Sequence, residues 1–267
     1  MAKVFGKKRA ELLVNEKFKQ YLKYAIGEIV LVVIGILIAV GINNWNIETG
    51  NRSQEVKILN QLLVEYETNL EEIDKKIEMR NLIMKSVEQL IYYADNGIDA
   101  ALLDSVSFHF NRTKYDPTFD PANGVTNELL NSGKFYLIQN EELKSELTSW
   151  SGAAGELIEQ EQLTAKLVYQ DYIPYLIENF DHRSTMNQEP DNKMNQLFAK
   201  GQSRTLNVPR KMSQGVFEQI LGDNTFQNYV IIIGRMHQAG NRQSLDTRKK
   251  ILGILEIIKS EIELGKD

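Results

Sequence analysis

Cysteine is absent from all 267 residues, which excludes disulfides, thiolate metal sites and thiol nucleophiles together. Any part folded outside the cytosol is then held by its core alone. Histidine occurs three times, as His109, His182 and His237, too scattered to form a ligand pair, so no metal is expected. No Gly-x-Ser-x-Gly elbow, no Ser-x-x-Lys and no glycine-rich phosphate loop occurs, so the sequence presents no reaction centre and is read as non-enzymatic, without a cofactor. Proline is scarce, with five in the chain, which leaves room for long helices.

What is present is one long apolar run, Ala25 to Ile42, with Glu28 as its single charge. A helix needs about 20 residues, at about 1.5 Å each, to cross a bilayer's hydrocarbon core. The run is bracketed by Tyr24 and Trp45, residues suited to the membrane interface. Ahead of it, residues 1–23 carry seven cations against two carboxylates, whereas the first cation beyond it is Arg52. That bias puts the N-terminus in the cytoplasm and everything after about Asn43 outside it. The leader's net +5, in a chain whose formal total is −5, leaves −10 for the rest, a charge that argues against nucleic acid as a partner. Ala39-Val40-Gly41 has the small-x-small form of a signal-peptidase site, but the charged leader and apolar core are both longer than signal peptides carry, and an uncleaved anchor is expected.

The exported part, 46–267, is long enough for one domain. Apolar residues recur three and four apart from Val56 through Leu59, Leu63, Tyr66, Leu70, Ile73 and Ile77 to Ala94, the mark of a long helix packed in a bundle or coiled coil. Asp95, Asn96 and Gly97 end it. A second long helix is expected from Asn140, an N-cap candidate, with Pro174 kinking or ending it. The stretch 181–214 reads as a polar connector with a short helix at Lys193 to Lys200. A last helix runs from about Asp223 to Leu264, with Gly240 marking a kink or break in its polar middle. The expected fold is all-α: a single N-terminal transmembrane helix, 24–45, behind a basic cytoplasmic leader, 1–23, followed by an elongated antiparallel helical bundle.

The run YAIGEIVLVVIGILIAVGINNWN, Tyr24 to Asn46, together with NELLNSGKFYLIQNEELKSELTSW, Asn127 to Trp150, resembles the two recurrent segments of a family of uncharacterised single-pass membrane proteins from Bacteroidota. Val40-Gly41 departs from that pattern, which has a leucine and a glutamine there. The resemblance implies an inner-membrane anchor with a helical periplasmic domain. It carries over no catalytic residue.

Three groups of residues invite a functional reading. Glu28, Gly35 and Ala39 fall within about 20° of one helix face, a carboxylate beside a small-xxx-small pair, which suits contact with a second transmembrane helix. The plainer reading is that Glu28 reaches the headgroups or pairs with Lys23. Arg80 interrupts the apolar seam, and a guanidinium inside a bundle demands carboxylates or carbonyls. Glu156 or Glu161 is placed to supply one, and His237, Asn241 and Ser244 to add further partners. Either this is an acid-binding pocket or it is a structural ion pair. Tyr169, Tyr172, Tyr175 and Phe180 around Pro174 read as core, and the Asp116 to Asp120 loop reads as turn chemistry without calcium-loop spacing. The expected function is a non-catalytic interaction or scaffolding component of the cell envelope, its partners the bilayer and either another envelope protein or a second copy. The alternative is a small-ligand sensor module signalling through a separate membrane partner.

Overall fold

The computed structural model describes residues 16–185, 191–198 and 212–265. Among them every regular element is helical and no strand occurs. The α-helices are α1 Glu16–Asn96, α2 Leu103–Arg112, α3 Gly124–Asn131, α4 Glu141–Lys166, α5 Ile173–Asn179, α6 Asn192–Phe198, α7 Gln214–Gly222 and α8 Asn224–Leu264. By its internal contacts the chain divides into two compact units, residues 1–56 and 57–267, and α1 passes through the boundary.

In the first unit, α1 is apolar on all sides. Its most apolar window has a mean hydropathy of 2.8 and is 0 % buried. Ile29, Leu31, Ile36, Leu37, Ile38 and Ile42 are all more than half exposed. By length and composition this is the one stretch among the described residues able to cross a membrane.

The second unit is built on α1 from Lys57 onward, on α4 with its continuation, and on α8. Their directions follow from their contacts. Along α1 and α8, Glu67 meets Lys259, Asp74 meets Arg248, and a Cβ on Gly234 would stand 3.2 Å from Val87 Cγ1, so these helices are antiparallel. Glu146 with Lys250 and Asn140 with Glu261 make α4 and α8 antiparallel too. Tyr66 stacks edge-on against Trp150 and Arg80 pairs with Glu161, so α1 and α4 run in the same direction. Two of the three pairings are thus antiparallel. The third is parallel because residues 97–140 carry the chain back along the bundle before α4 begins.

Local chemistry fixes the ends. Gly97, at φ 78°, returns its N–H to the Tyr93 carbonyl and stops α1 where the turn residues predict. Asn140 caps α4 by accepting the Leu143 N–H at 2.9 Å. Asp223 caps α8, accepting from Thr225 at 2.6 Å and Phe226 at 3.1 Å. At two points the sequence left a kink or an end open, and the helix does not end at either. At Pro174 a π turn over Leu167–Tyr172 interrupts the α ladder just ahead of the proline, which has no N–H to donate, and leads into α5. Helix α8 runs unbroken through Gly240, because that region faces the bundle interior and its polar groups find partners there. Of the expected connector, a short helix stands at Asn192–Phe198, while 186–190 and 199–211 lie outside the described residues.

Two apolar cores result. One gathers Leu59, Leu62, Tyr66 and Ile73 of α1, Leu143 to Leu157 of α4 and Ile251 to Ile262 of α8 around Trp150. The other gathers Met79 to Tyr93, Phe110, Val168 to Phe180, Phe217, Phe226 and Ile233. Between them all three long helices turn polar at one level.

Candidate functional site

On α1 the interruption is Arg80, between Ile77 and Ile83. On α4 it is Glu161 and Thr164, between Leu157 and Val168. On α8 it is His237, Asn241, Ser244 and Thr247, between Ile233 and Ile251. All of these polar residues are buried. Arg80, 1 % exposed, directs one terminal nitrogen to the Ser244 hydroxyl at 2.6 Å and, more distantly, to Asn241 Oδ1 at 3.5 Å. The other donates to the Pro117 carbonyl at 3.1 Å and to Glu161. The second Glu161 oxygen accepts the backbone N–H of Phe119 at 2.8 Å. Gly240 lies against this group, and a Cβ there would stand 3.5 Å from Arg80 Nε, an ordinary contact.

The sequence offered Glu156 or Glu161 as the partner of Arg80. Glu161 is the one. Glu156 is exposed, because five residues at about 100° each turn it roughly 140° away from the bundle interior. His237 joins the layer as expected, fully buried, its ring hydrogen-bonded to the backbone of Tyr115 and pushed down to about 3 by burial and by the Arg80 charge. Burial pushes the Glu161 carboxyl up to about 7, with Arg80 and the Phe119 N–H pulling the other way. Burial likewise pushes Asp116 up to about 6 against the pull of Arg80. Asp116 Oδ2 and His237 Nε2 are buried atoms with no hydrogen-bond partner among the described residues.

Asp116 belongs to an irregular segment, residues 113–123, that runs along α1 as a strap between α2 and α3. An irregular chain inside a helical protein carries backbone groups that no ladder satisfies. Side chains satisfy them here. Besides the Pro117 and Phe119 bonds, Asn69 donates to the Ala122 carbonyl at 2.9 Å and accepts its N–H at 2.7 Å. Glu72 accepts from Asp120 at 3.3 Å. Glu65 then caps α3 from outside, taking the N–H groups of Val125 at 2.6 Å and Thr126 at 3.0 Å. It replaces Asn123, whose Oδ1 is occupied by the Trp150 indole at 2.6 Å. Glu65 and Asn69 were not among the residues the sequence singled out, and Asp116 was read there only as turn chemistry. The signal was there in the spacing of Glu65, Asn69 and Glu72, four and three apart beside the apolar seam, a polar face that matches a polar partner.

Tyr172 and Phe180 are core, as the sequence suggested, and Tyr175 is partly buried, while Tyr169 is 56 % exposed. Glu28, Gly35, Ala39, Tyr24 and Trp45 all stand exposed in the first unit. Among the described residues, no three histidine or acidic side chains are grouped to hold a metal ion.

A family described as "Family of unknown function (DUF6090)" matches residues 28–149, less than half of the chain, from Glu28 in the apolar run to the middle of α4. That stretch includes Glu65, Asn69, Arg80 and the strap, and stops short of Glu161 and α8. No curated protein and no solved structure matches the chain. What can be said of kinship is therefore that the first part of this protein is similar to a family of unknown function.

Proposed function

We propose that this protein is a non-catalytic interaction component of the cell envelope, anchored in the inner membrane by one pass of α1, with a cytoplasmic N-terminus and a periplasmic bundle. The topology rests on the seven cations of residues 1–23 and the apolar run that follows, together with the resemblance of Tyr24 to Asn46 to an anchor of Bacteroidota membrane proteins. The observation that carries the interaction reading is the state of Arg80. Its terminal nitrogens are spent on Glu161, Ser244 and the Pro117 carbonyl, inside a layer sealed by a core on either side. A receptor for an acidic ligand needs a donor held in reserve, and this guanidinium is committed to the fold. The anchor helix, by contrast, presents its whole circumference, with Glu28, Gly35 and Ala39 on one face for a second transmembrane helix.

The test is purification of the intact, C-terminally tagged protein from native membranes after chemical crosslinking, with identification of what accompanies it. Recovery of a second copy or of the same envelope protein in every preparation supports the proposal. A protein recovered alone and loaded with a small metabolite overturns it in favour of the sensor reading.

A further inference from the structure

The polar layer has an unbalanced charge count. Two buried carboxyls, Asp116 and Glu161, face one buried cation, Arg80, with both cores closing the space above and below. Two ionised carboxylates in such a place cost far more than one guanidinium returns, and the cheaper arrangement keeps one as the neutral acid. Hydrogen bonding shows which. Both Glu161 oxygens accept from N–H donors, Arg80 and Phe119, as an ionised carboxylate does. Asp116 Oδ2 is buried with no hydrogen-bond partner among the described residues, and a desolvated carboxyl oxygen that no donor reaches costs less neutral than charged. The other groups facing the layer are Lys76 from α1, Tyr169 from the π turn after α4, and His237 with Asn241 and Ser244 from α8.

We propose that the Arg80 layer is a proton-operated latch: Asp116 and Glu161 hold one proton between them against one guanidinium, and its loss loosens the 113–123 strap from the helices. The strap is the element that responds because both carboxyls bear on it. Asp116 is part of it, Glu161 holds it by the Phe119 N–H, and Arg80 holds it by the Pro117 carbonyl. Release bares the Phe119 side chain, 3 % exposed in the closed state.

The sign follows from linkage. In the closed state the pair is pushed up to about 6 and about 7, against ordinary values of 3.8 and 4.5. The closed form therefore holds more protons, and opening becomes easier as pH rises through that window. His237 acts oppositely, because it is pushed down to about 3 from 6.5 and gains a proton when the strap leaves. The two effects offset each other in the unmodified protein below about pH 6.5.

The experiment is amide hydrogen exchange of the strap in the full chain, held in lipid nanodiscs and corrected for intrinsic exchange rates, in the His237→Gln protein. Strap opening is expected to rise by up to tenfold per pH unit between about pH 5 and about pH 7 and then level off. Adding Asp116→Asn is expected to flatten the profile. A flat profile in His237→Gln, or an unchanged slope after Asp116→Asn, overturns the latch. Should the double variant fail to fold, infrared spectroscopy of the unmodified protein with labelled aspartate decides. A protonated aspartic acid band present at about pH 6 and gone by about pH 8 is expected, and its absence at the lower pH overturns the proposal.

Discussion

The carboxylate of Glu65 closes on Thr126 from 61 residues away, accepting its backbone N–H at 3.0 Å and its hydroxyl at 2.6 Å. With the Val125 N–H it satisfies two of the orphan donors at the start of α3, a task usually done by the residue just ahead of a helix. Short-range capping and long-range packing are here one interaction. It ties the returning segment to α1 at the level where Tyr66 meets Trp150.

Glu65→Ala is expected to destabilise the second unit by about 3 kcal/mol, since it strands two backbone donors and a hydroxyl. Thr126→Val removes the hydroxyl's bonds to Glu65 and, at 3.3 Å, to Tyr66 but leaves the backbone donors capped, and is expected to cost about 1–2 kcal/mol. Urea unfolding of the detergent-solubilised full chain, followed by Trp150 fluorescence, measures both. Equal losses would contradict the cap.

Arg80→Met breaks a buried pair and leaves Glu161 uncompensated, with an expected loss of about 3–5 kcal/mol. Arg80→Met with Glu161→Leu replaces the charges by apolar groups of similar reach, and most of that loss is expected to return. A double-mutant cycle on unfolding free energies reads the coupling. Simple additivity of the two single losses would show that Arg80 and Glu161 do not act as a pair.

Two glycines of α8 are expected to differ. At Gly240 a Cβ would meet Arg80 at 3.5 Å, an ordinary contact, so Gly240→Ala is expected to stabilise the helix by about 0.5–1 kcal/mol. At Gly234 the Cβ would lie 3.2 Å from Val87 Cγ1, and the crowding should cancel that gain. Thermal unfolding midpoints of the two variants, measured side by side, test the contrast.

Burial pushes Lys114 down to about 7 from 10.5, beside the Phe110 ring and the Asn111 side chain. The folded chain then holds fewer protons there than the unfolded chain between those values, so this group's contribution to stability grows as pH rises from about 7 toward 10.5. His109, pushed down to about 4 chiefly by burial, contributes stability that is lost as pH falls from 6.5. Unfolding free energies across pH are expected to lose the alkaline slope in Lys114→Met and part of the acid slope in His109→Gln.

The absence of cysteine makes every introduced thiol unique. Gly35→Cys is expected to give disulfide-linked dimers in native membranes, whereas Leu37→Cys, about 160° around the helix from Gly35, is not. Dimers from the second position alone would rule out the Glu28, Gly35 and Ala39 face.

Much of this architecture was legible in residue order. The seam from Val56 to Ala94, the cap at Asn140, the start of the last helix near Asp223 and the stop at Gly97 are local patterns, and a helix is a local structure whose period writes itself into the sequence. The helix able to cross a membrane was the plainest of all, because an apolar run of that length shows in composition alone. Even the importance of Arg80 could be read, since a guanidinium in an apolar seam requires partners wherever it lies.

Which partners could not be read. Glu156 and Glu161 are equal as letters, and only the rotation of α4 about its axis decides between them. The parallel run of α1 and α4, the strap and the distant cap at Glu65 depend on contacts between residues 37 or more positions apart; the spacing of Glu65, Asn69 and Glu72 marks a polar face but does not say what it meets. Pro174 was read as a kink or an end and Gly240 as a kink or a break; the helix continues at both, through a π turn at the first and a buried polar layer at the second. Sequence alone determined what forms within a helix. The meeting of helices determined where charge is buried, because burial is a property of neighbours that the chain supplies only by folding.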